Sequence, residues 1–241
     1  MFKKKNIKIG IASFILAAGL NVNLAADGAF EDCYFGIFGG ANFPADVKTD
    51  TFYSTFPGNT YRETYRQDTA EAIDLLVGTH LSKKVRGELE FAYQRSCSSW
   101  ITEIVDGTTV NEYAGSGSTQ TYSLLANAWA DWTLPVKSRL VTVYAGGGLG
   151  LAIWRPKIRY TGFSAYGPQQ SSLELAGQLG TGVNVQLNEK YSLGLAYRVK
   201  VLTGSKKGQN TNVGEVTTYD TEALVSHSLG LTLIMQLYSS K

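Results

Sequence analysis

The 241-residue sequence predicts an all-β chain folded as an eight-stranded antiparallel up-and-down transmembrane β-barrel. Four segments alternate apolar and polar residues over ten or more positions, as expected of strands with one face toward hydrocarbon and one toward water. Glycine is abundant at 26 residues and proline scarce at 5, and no segment after residue 26 has a clear helical periodicity. Long and short connectors alternate strictly between the predicted strands, which is the loop pattern of a membrane barrel.

The first 26 residues read as a secretory signal peptide. Lys3, Lys4, Lys5 and Lys8 precede an apolar run over 9–20, and Ala25 and Ala26 follow it. The run is shorter than the roughly 20 residues that a membrane-spanning helix needs, so cleavage is expected after Ala26. Residues 27–241 then form one β-barrel with four long external loops.

The charge of the predicted mature chain argues against a nucleic-acid binder. All 20 acidic residues follow the signal, whereas four of the 22 basic ones lie within it. The mature chain therefore carries a formal charge of −2, and it has no basic stripe of the kind that contacts nucleic acid.

Eight strands follow from the alternation and the turn residues between them. In chain order they are predicted at 33–43, 70–81, 85–95, 120–133, 140–154, 171–187, 191–201 and 226–238. The connectors at 82–84, 134–139 and 188–190 are short, and those at 44–69, 96–119, 155–170 and 202–225 are long. Because eight is an even number, both ends of the barrel domain are expected at the periplasmic side.

Within the strands, ionisable residues fall on one face. The third strand sets Leu89 and Phe91 against Glu88 and Glu90, and the seventh sets Leu195 and Tyr197 against Arg198 and Lys200. The sixth strand places its leucines and valines on one face, and the eighth does the same with Leu229, Leu231, Leu233, Met235 and Leu237.

Alternation alone does not say which face points inward, since a soluble lipocalin-like barrel also alternates. Three features favour the membrane version. The polar face mixes carboxylates with Arg and Lys, the same face carries many glycines and alanines, and aromatics flank the apolar bands. Trp132 and Tyr191 are predicted at the periplasmic rim, and Phe43, Tyr93, Tyr122 and Tyr197 at the outer rim.

Several of these segments resemble the small outer-membrane β-barrel family of opacity-type and OmpA-like porin-family proteins. The resemblance rests on residues 33–43 (CYFGIFGGANF), 85–93 (VRGELEFAY), 144–152 (YAGGGLGLA) and 195–198 (LAYR). It implies an eight-stranded barrel in the outer membrane of a Gram-negative bacterium, usually structural, adhesive or antigenic rather than catalytic. Family members often end on an aromatic residue, commonly Phe, whereas this chain ends on Lys241. Tyr238, three residues earlier, is the candidate for a displaced signal to the barrel-insertion machinery.

Charged residues on the inward face are the first candidate site. In this register they are Asp74, Arg86, Glu88, Glu90, Asp131, Glu174, Arg198 and Lys200. Buried charges are costly unless paired, so a salt-bridge network is expected, with Arg86 meeting Asp131 and Glu90 meeting Arg198. One interpretation is an interior plug; the alternative is a narrow or gated ion path, since an eight-stranded barrel is just wide enough for side chains to fill.

No catalytic, metal or cofactor site is predicted. The only histidines, His80 and His227, lie on different strands, and Ser226 and Ser228 point to the opposite face from His227. A lipid-modifying enzyme is therefore the least favoured alternative. Cys33 and Cys97 are expected about a membrane thickness apart, too far for a disulfide.

The long loops are the second candidate site. The first loop carries the aromatic and basic residues Phe52, Tyr53, Phe56, Tyr61, Arg62, Tyr65 and Arg66, the composition favoured at binding hot spots. The resulting hypothesis is an outer-membrane protein with a structural and surface-interaction role, in adhesion or as an antigen, with a small gated channel as the alternative. Its expected partners are outer-membrane lipid and lipopolysaccharide, the insertion machinery and an extracellular or host ligand.

Overall fold

The computed structural model describes residues 33–53, 61–105, 108–136, 139–160, 170–204, 206–210 and 216–237, and the predicted signal peptide lies outside them. These residues form β-strands joined by short connections. The strands are β1 (Cys33–Pro44), β2 (Val47–Tyr53), β3 (Tyr61–Gln67), β4 (Ala70–Ser82), β5 (Val85–Val105), β6 (Thr108–Val136), β7 (Arg139–Tyr160), β8 (Ser172–Gln186), β9 (Tyr191–Leu202), β10 (Lys206–Asn210), β11 (Val216–Thr221) and β12 (Leu224–Gln236). Within the same residues, no helix is long and apolar enough to span a membrane.

Eight of the strands close into a ring, which confirms the predicted fold. The ring runs β1, β4, β5, β6, β7, β8, β9 and β12, and β12 pairs back onto β1. Every neighbouring pair is antiparallel. Closure leaves no open sheet edge around the barrel, and a membrane wall needs this because hydrocarbon offers no partner to a free N–H or C=O group.

The two faces of the wall separate as the alternation predicts. On β8, Leu173 and Leu175 are 66% and 59% exposed, whereas Glu174 between them is 5% exposed. The outward residues of the other ring strands form an apolar band, and the charged residues at the height of this band point into the lumen. A soluble barrel would have the reverse arrangement.

Glycines on the inward face make room for large side chains in the narrow lumen. A Cβ atom at Gly78 would lie 2.3 Å from the ring of Tyr34, and one at Gly182 would lie 2.4 Å from the Tyr144 hydroxyl. Each glycine therefore faces an aromatic ring that fills the space where a side chain would stand.

The predicted long connectors are largely β-structure, which corrects the strand boundaries. Strands β5, β6 and β7 continue about ten, twelve and six residues beyond the predicted limits of 95, 120 and 154, and β2, β3, β10 and β11 lie within connectors predicted as loops. The reason is physical: beyond the apolar band the outward residues need not be apolar, so the alternation that marks a membrane strand disappears while the pairing continues.

These additional strands form a sheet that extends the wall at one end of the barrel. Its order is β10, β11, β2, β3, β5, β6 and β7, with β3 pairing to β5 above the point where β4 ends. We call this sheet the extension. The opposite end, which carries the turns at 83–84 and 187–190, is the short-turn end.

The outward face predicts a depth-dependent cost of charge. Leu179→Arg, near the middle of the apolar band on β8, is expected to lower the free energy of unfolding by about 2–4 kcal/mol, because a cation on the lipid face is costly at mid-bilayer. Leu187→Arg at the short-turn end is the matched control and should cost about 0–1 kcal/mol. Urea unfolding of the protein in lipid vesicles measures both, and equal costs would contradict a lipid-facing band.

Candidate functional site

The lumen network begins at the short-turn end with Arg86 on β5. Arg86 Nε lies 3.1 Å from Asp131 Oδ1 on β6, and Arg86 Nη1 lies 3.5 Å from Glu88 Oε2. Arg86 Nη1 also donates to the Tyr34 hydroxyl at 3.1 Å, and that hydroxyl donates to Glu88 Oε2 at 3.0 Å. Trp129 Nε1 donates to the other oxygen of Glu88 at 3.1 Å. The side chains of β1, β5 and β6 are thereby joined across the lumen.

The middle of the network is centred on Arg198 of β9. Arg198 Nη1 lies 2.6 Å from Asp74 Oδ2 and 3.0 Å from Glu90 Oε2, so one guanidinium bridges carboxylates from two other strands. Lys200 Nζ lies 3.5 Å from Glu90 Oε1 and donates to Ser123 Oγ at 3.1 Å. Arg198, Asp74 and Glu90 are 4%, 2% and 0% exposed, so the bridge is shielded from bulk water.

Aromatic rings support both guanidinium groups. The centre of the Phe38 ring lies 4.5 Å from Arg198 Cζ, and the centre of the Tyr144 ring lies 4.5 Å from Arg86 Cζ. A guanidinium over an aromatic face gains cation–π attraction when it is desolvated. The rings also fill the lumen, so they exclude the water that would otherwise screen the ion pairs.

The structure places all eight predicted lumen charges inside the barrel. Seven of them form one network, because Asn127 donates both to Glu88 at 3.5 Å and to Glu90 at 2.8 Å and so links the two groups. Glu174 stands apart and accepts a hydrogen bond from Thr203 Oγ1 at 2.9 Å. These eight residues comprise five carboxylates and three cations, so neutral donors are needed to satisfy the excess. Tyr34 and Trp129 donate to Glu88, while Asn127 and Gln178 donate to Glu90 at 2.8 and 2.7 Å.

Sequence reasoning missed these neutral partners. Asn127 and Trp129 lie at even spacing from Asp131 on β6, and Gln178 lies at even spacing from Glu174 on β8. Because residues two apart share a strand face, this spacing is the signal that could have found them.

Toward the extension, apolar and polar side chains share the lumen, and the buried polar ones include Gln67, Gln94 and Ser96. Tyr65, Ile101, Trp154 and Ile158 are buried there together with Leu125, which stands opposite Glu90 on the neighbouring strand. We call these five residues the apolar layer. At the other end, a cavity of about 180 Å³ reaches from the short turns to Arg86 and Asp131. The cavity is lined mainly by polar residues and ends at the charged network.

The extension has its own buried polar contacts. Thr51 Oγ1 and the Tyr65 hydroxyl both donate to Glu63, and Thr49 and Thr221 join β2 to β11 through their hydroxyls at 3.3 Å. Burial raises the pKa of Tyr219 on β11, and the charge of Glu63 raises it further. These contacts fix the two hairpins β2–β3 and β10–β11 to each other.

The predicted loop residues are divided between the two faces of the extension. Tyr65 is fully buried in the apolar layer, so its prediction as a surface-binding residue is wrong: the pairing of β3 with β5 turns that side chain inward. Arg62 is exposed but is held by two hydrogen bonds to Asp50 at 2.8 and 3.2 Å, which also raise its pKa. It serves as a link between β2 and β3.

The remaining loop residues are placed as follows. Phe52 is 38% exposed, Arg66 is exposed, and Tyr61 is half-buried. Tyr53 is the last residue of β2, and Phe56 lies outside the described residues. Trp100, which sequence reasoning did not single out, stands opposite Arg66 on β5 and is 50% exposed.

The two histidines lie on opposite faces of the barrel wall, and the two cysteines form no disulfide with each other. His80 lines the short-turn cavity beside Tyr34, whereas His227 is on the outer face, where its Nδ1 lies 2.6 Å from the Tyr197 hydroxyl. Cys33 and Cys97 are free thiols. Among the described residues, no three His, Cys, Asp or Glu side chains form a group that could hold a metal ion.

Comparison with known proteins places the likeness at the level of fold. No protein-family model matches the sequence. A comparison with curated proteins also gives no match. Solved structures with a similar fold include Neisserial surface protein A, with 14% identity over 84% of this chain and 97% of that chain and a TM-score of 0.47. The outer membrane protein OprG from Pseudomonas aeruginosa gives 16% identity, coverages of 86% and 98% and a TM-score of 0.48.

The outer membrane protease OmpT from Escherichia coli is also similar in fold, with 7% identity, coverages of 86% and 97% and a TM-score of 0.43. The chain is thus similar to bacterial outer-membrane β-barrel proteins, whose roles differ from one another. A role for this chain has to be argued from its own residues.

The central position of Arg198 predicts a large loss of stability when it is removed. Arg198→Ala is expected to lower the free energy of unfolding by about 3–5 kcal/mol, because Asp74 and Glu90 are then left buried without their cation. Adding Asp74→Asn and Glu90→Gln to that variant should recover part of the loss. Arg155→Ala, an exposed arginine on β7, is the matched control and should change stability by about 0.5 kcal/mol or less. Urea unfolding in lipid vesicles measures the free energy of unfolding of each variant. Equal losses for Arg198→Ala and Arg155→Ala would contradict the bridge that Arg198 forms between Asp74 and Glu90.

Proposed function

We propose that this chain is an outer-membrane protein whose closed barrel anchors an external sheet, and that the external sheet serves surface interaction in adhesion or as an antigen. One observation carries the proposal: buried side chains fill the middle of the lumen, while the wall continues as a sheet far beyond the apolar band. A barrel of this kind exposes a large surface for binding outside the membrane, whereas its lumen leaves little space for a solute to pass.

The location is supported by the wall itself. Outward residues of the ring strands are apolar through the band, and aromatic residues border it at both ends: Trp132 and Tyr191 at the short-turn end, Phe43 and Tyr197 at the other. This is the arrangement of a β-barrel in a bilayer with aromatic girdles at its interfaces. Bacterial barrels have short periplasmic turns and long external connections, so the extension is assigned to the cell exterior.

The binding role is supported by the outer face of the extension. Trp100 and Arg66 are neighbours on paired strands and both are exposed, and Phe52 adds a second exposed aromatic on β2. Tryptophan and arginine are enriched at binding hot spots because they offer large contact areas with few conformations to lose. The hydrogen bonds that join the two hairpins hold this face in one shape, which lowers the entropy lost on binding.

A small gated channel is the second candidate, favoured by the short-turn cavity of about 180 Å³ that reaches Arg86 and Asp131. Two barriers oppose it. The guanidinium of Arg198 crosses the lumen between Asp74 and Glu90, and the apolar layer packs on the extension side of the lumen. Ion passage would need both to rearrange, whereas surface binding needs neither to move.

The surface role predicts that the exposed aromatics carry binding. Protein in lipid nanodiscs is titrated onto a reconstituted basement-membrane coating, the probe for an extracellular ligand. The double variant Phe52→Ala/Trp100→Ala is expected to raise the half-saturating concentration about tenfold or more, the size expected for hot-spot truncation. Glu112→Ala, also exposed on the extension, is the matched control and should bind like the wild type. Equal binding by the double variant, or none by the wild type, would contradict this role.

The two native cysteines test the orientation directly. In intact cells treated with a membrane-impermeant maleimide, Cys97 at the base of the extension is expected to react and Cys33 at the short-turn end is expected to stay unlabelled. Cys97→Ser should abolish the signal, and permeabilised cells should label at Cys33 as well. Labelling of Cys33 without Cys97 in intact cells would show the opposite orientation.

A further inference from the structure

Three cations stand together on the outward face where the wall leaves the apolar band. Arg95 on β5, Gln120 on β6 and Arg155 on β7 lie in one row across three paired strands. Lys157 lies two residues further along β7, on the same face as Arg155. Arg95, Arg155 and Lys157 are all exposed, and we call them the outer basic patch.

The outer basic patch lies directly above the outer edge of the apolar band. The row directly beneath it is Tyr93, Tyr122 and Ile153, in which the two tyrosine rings are 5.1 Å apart between centres. On β7 the outward residues from Val143 to Ile153 span ten residues, which at ~3.3 Å per residue and a strand tilt of ~40° gives a height of about 25 Å. That is the height of the apolar band of an outer-membrane barrel, so the patch lies where the headgroups of the outer leaflet begin.

The side chains of the patch are partly held in place. The guanidinium of Arg155 lies 5.4 Å from the centre of the Tyr122 ring, so an aromatic surface beneath it limits its freedom. Carboxylates at this level lie to the β4 side: Glu71 is exposed on β4, and Asp68 accepts a hydrogen bond from Ser99. Arg155 and Lys157 lie on β7, which β5 and β6 separate from β4, and there the positive charge is less compensated.

The opposite wall has a different character. The outward residues at the extension ends of β9 and β12 are Val199, Val201, Val225 and His227, with no lysine or arginine among them. Both strands also end near the apolar band, whereas β5, β6 and β7 continue beyond it. The outer basic patch therefore has no counterpart on the outward faces of β9 and β12.

We propose that Arg95, Arg155 and Lys157 bind the phosphate groups of lipopolysaccharide in the outer leaflet. Arginine and lysine form charge-assisted hydrogen bonds with phosphate oxygens, and arginine can do so with two parallel donors. The acyl chains of the same lipid lie against the apolar residues below, which include Leu124 and Leu151. The inference rests on the outer-membrane location proposed above and assigns a specific lipid contact to one face of the wall.

The test uses the purified, folded protein in detergent micelles, so it does not depend on where the protein is found in cells or on any adhesive activity. Native mass spectrometry measures binding of bisphosphorylated lipid A to the wild type and to Arg155→Ala/Lys157→Ala. The double variant is expected to bind on the order of tenfold more weakly, because two charge-assisted contacts are lost. The matched control is Lys83→Ala/Lys84→Ala, which removes two cations from a short turn and should bind like the wild type.

Further arms identify what the patch recognises. Dephosphorylated lipid A is expected to bind the wild type as weakly as bisphosphorylated lipid A binds the double variant. Equal binding of both lipids by the wild type would assign the affinity to the acyl chains and overturn the proposal. Displacement of lipid A by inorganic phosphate or a sulfated polysaccharide at equal concentration would assign the patch to free anions or an extracellular polymer instead. An equal loss in Lys83→Ala/Lys84→Ala would show unspecific charge attraction. A heat-dependent gel shift shows that each variant is folded.

Discussion

Closure of the backbone hydrogen bonds around the ring is the constraint on which the rest of this structure depends. In hydrocarbon an unpaired N–H or C=O group has no partner, so the eight ring strands must pair on both sides. The pairing of β5 with β6, one of the two longest among the described strands, joins the N-terminal strands to the C-terminal ones. Once the ring is closed, successive side chains point alternately outward and inward. The sequence must therefore place apolar residues on the outer face and polar residues on the inner face.

The inward face then sets its own problem. A ring of eight strands leaves an interior that side chains fill, so charges placed there are desolvated and need partners. Arg198 meets this need by bridging Asp74 and Glu90, while Tyr34 and Trp129 satisfy Glu88 with neutral donors. The same contacts tie together strands that are distant in sequence. The polar interior is therefore a second set of bonds across the barrel, beside the backbone pairing of the ring.

Much of the wall could be predicted from the sequence. In a barrel whose strands alternate, the apolar face points either outward to lipid or inward, and the mixed charges on the polar face indicate that the apolar face points outward. The spacing of Arg86 and Asp131 from the strand ends was sufficient to place them side by side. The extension could not be predicted in the same way, because outward residues such as Arg66 and Lys157 lie in water and follow no apolar pattern. Tyr65 shows the consequence. Its inward direction follows from the pairing of β3 with β5, which the sequence does not reveal, so the composition of the loop predicts it at the surface instead.

The proposed surface role depends on a lumen that is closed to ions. Single-channel recording in planar bilayers tests it most directly. The wild type is expected to give no conductance steps. Arg198→Ala is expected to stay silent as well, because the apolar layer formed by Tyr65, Ile101, Leu125, Trp154 and Ile158 remains in place. Reproducible steps from the wild type whose size changes with Glu90→Ala would contradict a closed barrel and favour a channel.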